Sequence, residues 1–228
     1  FLKICHQSDP YLSDCIKQSV NSLKPYLRKG IPALGIPKCE PLHLDEIEID
    51  QSSGPIYIRA IYNNVSIFGG TDFVPKSIRL NDFRKMLDVH LAFPKIELQG
   101  RYEVVGNVLL FPIQSHGEFW ALFDDGIAGD VQAVARIQGA EEIRDGVRYL
   151  KVVRMLVDFG LGRARFRVVD QLNGDNVIGQ AMNQFLNQNA KEIIEEMRPA
   201  ASASIAKHFK NFLGKALNKV PLKVWLRD

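Results

Sequence analysis

Cysteines, histidines and adjacent carboxylates are the residues through which this chain could do chemistry, and their spacing assigns them little of it. Cys5 and Cys15 stand either side of a turn-like Ser8-Asp9-Pro10, and Cys39 lies in a Pro-rich segment. In an oxidising compartment Cys5 and Cys15 would pair and tie the N-terminus to the first helix; in the cytosol all three would stay free thiols. Both readings stand on the sequence, and Cys39 is the odd thiol in the first. No C-x-x-C pair or His cluster accompanies them, so no metal is expected. His6, His43, His90, His116 and His208 are scattered, which argues against any of them as a general base. Asp124-Asp125, Glu141-Glu142 and Glu195-Glu196 are sequence neighbours whose side chains diverge, which fits solvated faces and not acid/base catalysis. Asp158-Phe159-Gly160 matches a kinase triplet without the remaining kinase motifs, and Gly160-Leu161-Gly162 reads as a turn, not a dinucleotide fingerprint. There is no G-x-S-x-G, H-E-x-x-H or P-loop. The expectation is a protein without catalysis and without a cofactor.

Composition narrows the class. The 228 residues are 46% hydrophobic, 24% charged and 9% aromatic, ordinary values for a folded chain. Lys and Arg exceed Asp and Glu by 29 to 26, too small a surplus to imply nucleic acid. No stretch approaches the roughly 18 apolar residues of a membrane-spanning helix, and Val104–Ile113 is interrupted by Gly106, Asn107 and Pro112. The chain begins at Phe1, which fits removal of a signal peptide or simple trimming. Asn64-Val65-Ser66 forms an N-glycosylation sequon compatible with secretion.

Three elements follow from periodicity. Leu12, Ile16, Val20, Leu23 and Leu27 step by three or four, predicting a first helix capped by Ser8 and Asp9, bent at Pro25 and ended by Gly30. Pro32, Pro37 and Pro41 then predict an extended, non-helical connector. From Leu42 to Gln171 the period is two, clearest where Arg163, Arg165 and Arg167 alternate with Ala164, Phe166 and Val168. Leu150 and Val152 fall on the opposite phase to Val153, Met155, Val157 and Phe159, predicting a β-bulge and a curved sheet. Asn63-Asn64, Gly69-Gly70, Asp124-Asp125-Gly126, Asp145-Gly146 and Asn173-Gly174 read as turns, and the later strands as an antiparallel meander. From Gly179 to Ala216 the apolar positions Met182, Leu186, Ala190, Ile193, Met197, Ala201, Ile205, Phe209 and Phe212 predict one long helix, kinked or broken at Pro199. A helix of ~38 residues would run about 57 Å, longer than a compact ball of this chain, so the sheet should wrap along it. Small residues such as Ala133, Ala135 and Ala164 on the concave side leave two readings open, a filled core or a long apolar tunnel.

The chain resembles the insect takeout and juvenile-hormone-binding proteins at both ends. The opening carries Cys5, Ser8-Asp9-Pro10, Cys15-Ile16-Lys17, Leu27-Arg28-Lys29-Gly30-Ile31-Pro32 and Leu34-Gly35-Ile36-Pro37. The close carries Asn183-Gln184-Phe185-Leu186-Asn187, Ile193-Ile194-Glu195-Glu196-Met197-Arg198-Pro199, Phe209 to Phe212 and Val220-Pro221. No cysteine follows Cys39, which fits the takeout branch. The resemblance implies an α+β fold, a long C-terminal helix wrapped by a highly curved antiparallel sheet (the tubular lipid-binding super-roll), plus an N-terminal helix. It also implies a Cys5–Cys15 disulfide, a single domain over 1–228, secretion, and an internal tunnel for an elongated hydrophobic ligand such as an isoprenoid or fatty acid.

Strand phase and the helix stripe then nominate a lining of Val89, Leu91, Phe93, Phe119, Ala133, Ala135, Met155, Val157, Phe166, Met182, Phe185 and Phe209. The expected protein is a monomeric carrier of a hydrophobic small molecule or lipid, with no nucleic-acid partner. The alternative is a lipid-transfer or membrane-docking module acting through Lys207, Lys210, Lys215, Lys219 and Lys223 at the helix end.

Overall fold

The computed structural model describes residues 3–51, 56–81, 85–108, 111–124, 131–171 and 177–227. The chain opens with a short strand, β1 (Cys5–His6), followed by α1 (Leu12–Ser22) and α2 (Lys24–Lys29). The cap is not the expected one. Ser8 and Asp9 precede the helix by several residues; Asp9 instead accepts a bond from the Tyr11 backbone N–H at 2.8 Å, an Asx turn that leads into Leu12. Pro25 does not bend one helix but sits in the first turn of the second, where its missing N–H costs nothing. The connector is also less extended than expected: Pro32–Leu34 make one 3-10 turn closed by Gly35 at φ 72° and by the Ile31–Ile36 bridge. Proline's fixed φ suits a tight turn as well as an extended run.

The period-two region becomes β2 (Leu42–Gln51), β3 (Ile56–Phe68), β4 (Val74–Asn81), β5 (Met86–Phe93), β6 (Lys95–Val108), β7 (Phe111–Asp124), β8 (Val131–Arg144), β9 (Val147–Gly160) and β10 (Arg163–Asp170). These strands are not a meander. Successive hairpins alternate between two antiparallel sheets, one ordered β10-β7-β6-β3-β2 and the other β4-β5-β8-β9. Alternation of side chains fixes which face of a strand is buried but not which strand lies beside it, so the non-local pairs β3–β6, β5–β8 and β7–β10 were invisible to pattern.

Three register slips bend these sheets among the described residues, one of them in β4 between Pro75 and Ser77. The slip foreseen in β9 is real: Gln138 pairs with Arg154 and Gly139 with Val152, leaving Val153 as the extra residue, 46% exposed. The Asn63-Asn64 pair is not a turn; it lies inside β3, where Asn64 adopts φ 51° and the β6 register slips between Asn63 and Ser66. Asparagine tolerates this left-handed conformation, and Gly100 makes room, since a Cβ there would lie 2.9 Å from the Asn63 carbonyl oxygen. Asp145 and Gly146, at φ 51° and 75°, form the tight turn expected between β8 and β9. The turns expected at Asp125-Gly126 and Asn173-Gly174 lie outside the described residues.

The C-terminal stripe forms α3 (Val177–Gln188) and α4 (Ala190–Leu217). The interruption falls at Asn189; the chain stays helical through Pro199, which is exposed. After α4 a 3-10 turn, Leu222–Val224, leads to β11 (Leu226–Arg227), which pairs in parallel with β1. There the Cys5–Cys15 disulfide packs with Ile16, Ile78, Leu222 and Leu226 in a closed cluster.

Helices meet the outer strands of both sheets: α1 packs on β4, α4 on β9 and β2, and α3 on β10. The α3–β10 contact is made by two asparagine amides. Asn187 Oδ1 accepts from the Phe166 N–H at 2.9 Å while its Nδ2 donates to the Phe166 carbonyl at 2.7 Å. Asn183 makes the same pair with Val168, both at 2.8 Å. The spacings match because four helical residues rise about 6 Å and two strand residues about 6.6 Å. An amide is the one side-chain group that both donates and accepts in this geometry. Replacing both asparagines by Ala should therefore cost about 2–4 kcal/mol, at roughly 1 kcal/mol per bond lost, measured as a lower urea midpoint. Asn187→Asp, which keeps the acceptor and loses the donor, should destabilise as well.

Candidate functional site

The register sorts side chains onto two apolar faces. In the five-stranded sheet the rung Phe166–Ala121–Leu98–Ile67–Leu42 lies on one face, with Val168 and Phe119 one rung away. Arg163, Arg165 and Arg167 point to the opposite face, where Asp124 receives Arg163 at 2.7 Å and Arg165 at 3.1 Å. Those hydrogen bonds, Arg163 foremost, hold the Asp124 carboxyl below the usual range. In the four-stranded sheet the apolar rungs are Ile78–Val89–Ala135–Val157, Leu80–Leu87–Ile137–Met155, and Leu91–Ala133–Phe159, with Phe93 opposite Val131.

Nine of the nominated residues lie on strands, each on one of these apolar faces. Val89, Leu91, Phe93, Ala133, Ala135, Met155 and Val157 share one face of the four-stranded sheet, and Phe119 and Phe166 share one face of the other. Val89 also packs against the closed cluster around the disulfide. Met182 on α3 is half-buried, while Phe185 and Phe209 are 44% and 46% exposed. All nine strand residues are half-buried although they occupy the apolar faces. Ile78, Ile137 and Ala121 on the same rungs, by contrast, are buried.

Aromatic neighbours extend the set. Phe166 meets Phe123 edge-on at 6.0 Å, Phe119 meets Tyr62 at 5.0 Å, and Phe93 meets Phe73 at 6.4 Å. Phe123 could have been found by carrying the phase of Phe119 four residues on. Tyr62 could not, because the bulge at Asn64 breaks the parity of β3.

A polar chain interrupts the apolar face, where Gln51 of β2 is also buried. Asp170, Gly117, Tyr102 and Tyr62 form a rung, and Ser115 lies one rung along. Ser115 Oγ donates to Asp170 Oδ2 at 2.7 Å and is 2.7 Å from the Tyr102 hydroxyl; all three residues are buried. Gly117 is required here, since a Cβ would lie 1.9 Å from the Val169 carbonyl oxygen. Burial, and then Tyr102, push the Tyr62 phenol up; burial does the same for Tyr102 against the opposing Ser115 bond, so both stay neutral. No sequence motif marks this chain, because its members come from β6, β7 and β10.

Reactive groups elsewhere are not gathered. Ser66 Oγ and His43 Nδ1 lie 3.0 Å apart, but as an exposed cross-strand pair on the face opposite Leu42 and Ile67. Cys39 is a free thiol, pushed up by burial and then by Glu40. Among the described residues no group of three or more His, Cys, Asp or Glu could hold a metal ion, and no helix is long and apolar enough to cross a membrane.

Removing the shared partner of the polar chain, Ser115→Ala, should cost about 1–3 kcal/mol, the range for stranding buried polar atoms, read as a loss in thermal midpoint without change in secondary structure.

Known proteins fit this geometry. The family model for haemolymph juvenile hormone binding protein matches residues 1–227. The circadian clock-controlled protein daywake of Drosophila yakuba is 21% identical over 216 residues, covering 91% of this chain and 81% of that protein. Its Drosophila melanogaster counterpart is also 21% identical, over 96% of this chain and 85% of its own length. The crystal structure of Epiphyas postvittana Takeout 1 superposes with a TM-score of 0.82 at 23% identity, covering all of both chains, so the fold is the α+β super-roll. With the family model spanning nearly every residue, this chain belongs to the haemolymph juvenile hormone binding protein family.

Proposed function

We propose that this protein is a secreted, monomeric carrier, one domain over 1–228, that holds an elongated apolar small molecule between its apolar sheet faces and performs no catalysis. The observation that carries the reading is the half-buried state of nine aligned apolar residues, Phe119 and Phe166 among them, on faces where neighbours such as Ile78, Ile137 and Ala121 are buried. Apolar surface left in that state is what a hydrophobic ligand would cover. A chain-like ligand burying roughly 400 Å² gains about 10 kcal/mol at 25 cal/mol per Å², before the cost of immobilising it. Affinity then needs no motif, and selectivity comes from length, width and an occasional polar group. The family's description as hormone-binding haemolymph proteins supports the same reading, and the Cys5–Cys15 disulfide suits an oxidising, extracellular setting.

Organic-solvent extraction of the purified protein, analysed by mass spectrometry beside the native mass of the intact complex, should yield a stoichiometric lipid or isoprenoid. An empty protein that also refuses long apolar probes would overturn the reading. Phe166→Arg, which sets a charge on the apolar face beside Phe123, should weaken uptake of an apolar fluorescent probe at least about tenfold. Circular dichroism of the variant would establish that it is folded.

A further inference from the structure

We propose that the C-terminal half of α4 and the adjoining stretch of β9 form a docking surface for an anionic lipid bilayer. The surface rests on the carrier reading for its purpose, which is loading or unloading an apolar cargo, but not for its own physical argument.

Charge is distributed unevenly along the chain. Of its 29 Lys and Arg, seven lie in residues 198–227, a segment without Asp or Glu; the remainder holds 22 cations against 26 acids. The fold places this basic segment beside β9. Arg198 reaches Asp158 at 3.7 Å, and Pro221 bridges Tyr149, so α4 runs antiparallel to β9 over about 30 Å of shared length. Near the end of that run a cleft of about 260 Å³ is lined by Lys151 and Val152 of β9 and by Lys210, Asn211, Gly214, Lys215 and Asn218 of α4.

The cations there are available. Lys151, Lys207, Lys210 and Lys215 are all exposed, and among the described residues none pairs with a carboxylate. The adjoining hairpin is largely self-neutralised: Glu141 is engaged by Lys85 and Arg148 and Glu142 by Arg144, leaving Asp145 at the tip. Arg144 in turn donates to the Asn218 carbonyl at 2.7 Å, fixing the helix end against the sheet. His208 is held below its ordinary value by burial and then by Lys207, so it stays neutral at physiological pH.

A bilayer suits this surface better than an acidic protein because apolar side chains stand among the cations. Val153, two residues from Lys151 and pushed out by its bulge, is 46% exposed, and Val224, next to Lys223 in the same basic segment, is 43% exposed. Cations at headgroup level with apolar residues reaching beneath them is the pattern of interfacial binding, and each Lys near an anionic surface adds to it in a salt-screened way.

The test is co-sedimentation of the full chain with vesicles of phosphatidylcholine containing 30% phosphatidylserine (about that fraction suffices to charge the surface). Expected are binding to these vesicles, none to pure phosphatidylcholine, and weakening as salt is raised. The triple variant Lys151→Ser, Lys210→Ser, Lys215→Ser should bind about 100-fold more weakly. A control variant, Arg101→Ser, Arg167→Ser, Lys191→Ser, removes the same charge from the other sheet and the opposite end of α4 and should bind as the parent does. Equal loss in both variants, equal binding to neutral vesicles, or binding to polyglutamate but not vesicles would overturn the proposal. Uptake of the apolar probe without vesicles, measured on each protein, keeps this failure separate from failure of the carrier reading.

Discussion

Open sheets end in strands whose outer backbone groups have no partner, and such edges pair with other chains unless something covers them. This chain has two open sheets, and helices meet the outer strands of both. The two sides are handled by different chemistry. At β10 the cover is specific, two amides replacing the missing strand bond for bond. At β9 it is extended packing of α4 along the strand. Because α4 also meets β2 of the other sheet, one helix holds both sheets in a fixed relation. Everything that faces inward depends on that arrangement.

The inward faces themselves are nearly uniform in chemistry. Long alternating strands put aliphatic and aromatic side chains on one side and arginines and carboxylates on the other, as in β10, where Arg163, Arg165 and Arg167 flank Ala164, Phe166 and Val168. The buried chain from Tyr102 through Ser115 to Asp170 is an exception. It is internally bonded, which is what burial in an apolar setting demands. It also places a directional feature at one known level of a largely apolar surface.

Much of this was legible in the sequence, for reasons that separate cleanly. Period-two patterning located the β region from Leu42 to the end of β10 almost to the residue, and the phase change at Val152–Val153 announced the β9 bulge. Faces followed from parity, which is why the nine nominated strand residues align. What failed was what parity does not encode. Strand neighbours were misjudged because hairpins alternate between sheets. The bulge at Asn64 looked like a turn because asparagine favours both. The long helix breaks at Asn189 and not Pro199, since proline on an exposed position is tolerated where its neighbours hold the helix. The amide clamp was present as Asn183 and Asn187, but only the position of β10 gives those two residues their meaning.

The pairing of β1 with β11 has a bearing on how the molecule is made. Cys5 lies opposite Leu226, so the first strand finds its partner more than two hundred residues further along the chain. The cluster around Cys15, Ile16 and Ile78 likewise needs Leu222 and Leu226 to be filled. During vectorial synthesis the N-terminal helix can meet β4 early, but the side that faces Leu222 and Leu226 stays uncovered until those residues are made. Contacts of such long sequence separation form slowly and leave partly built chains prone to association. The disulfide joins residues only ten apart and can form long before that. It gives the segment around Cys5 and Cys15 a compact local shape to hold until Leu222 and Leu226 complete the cluster.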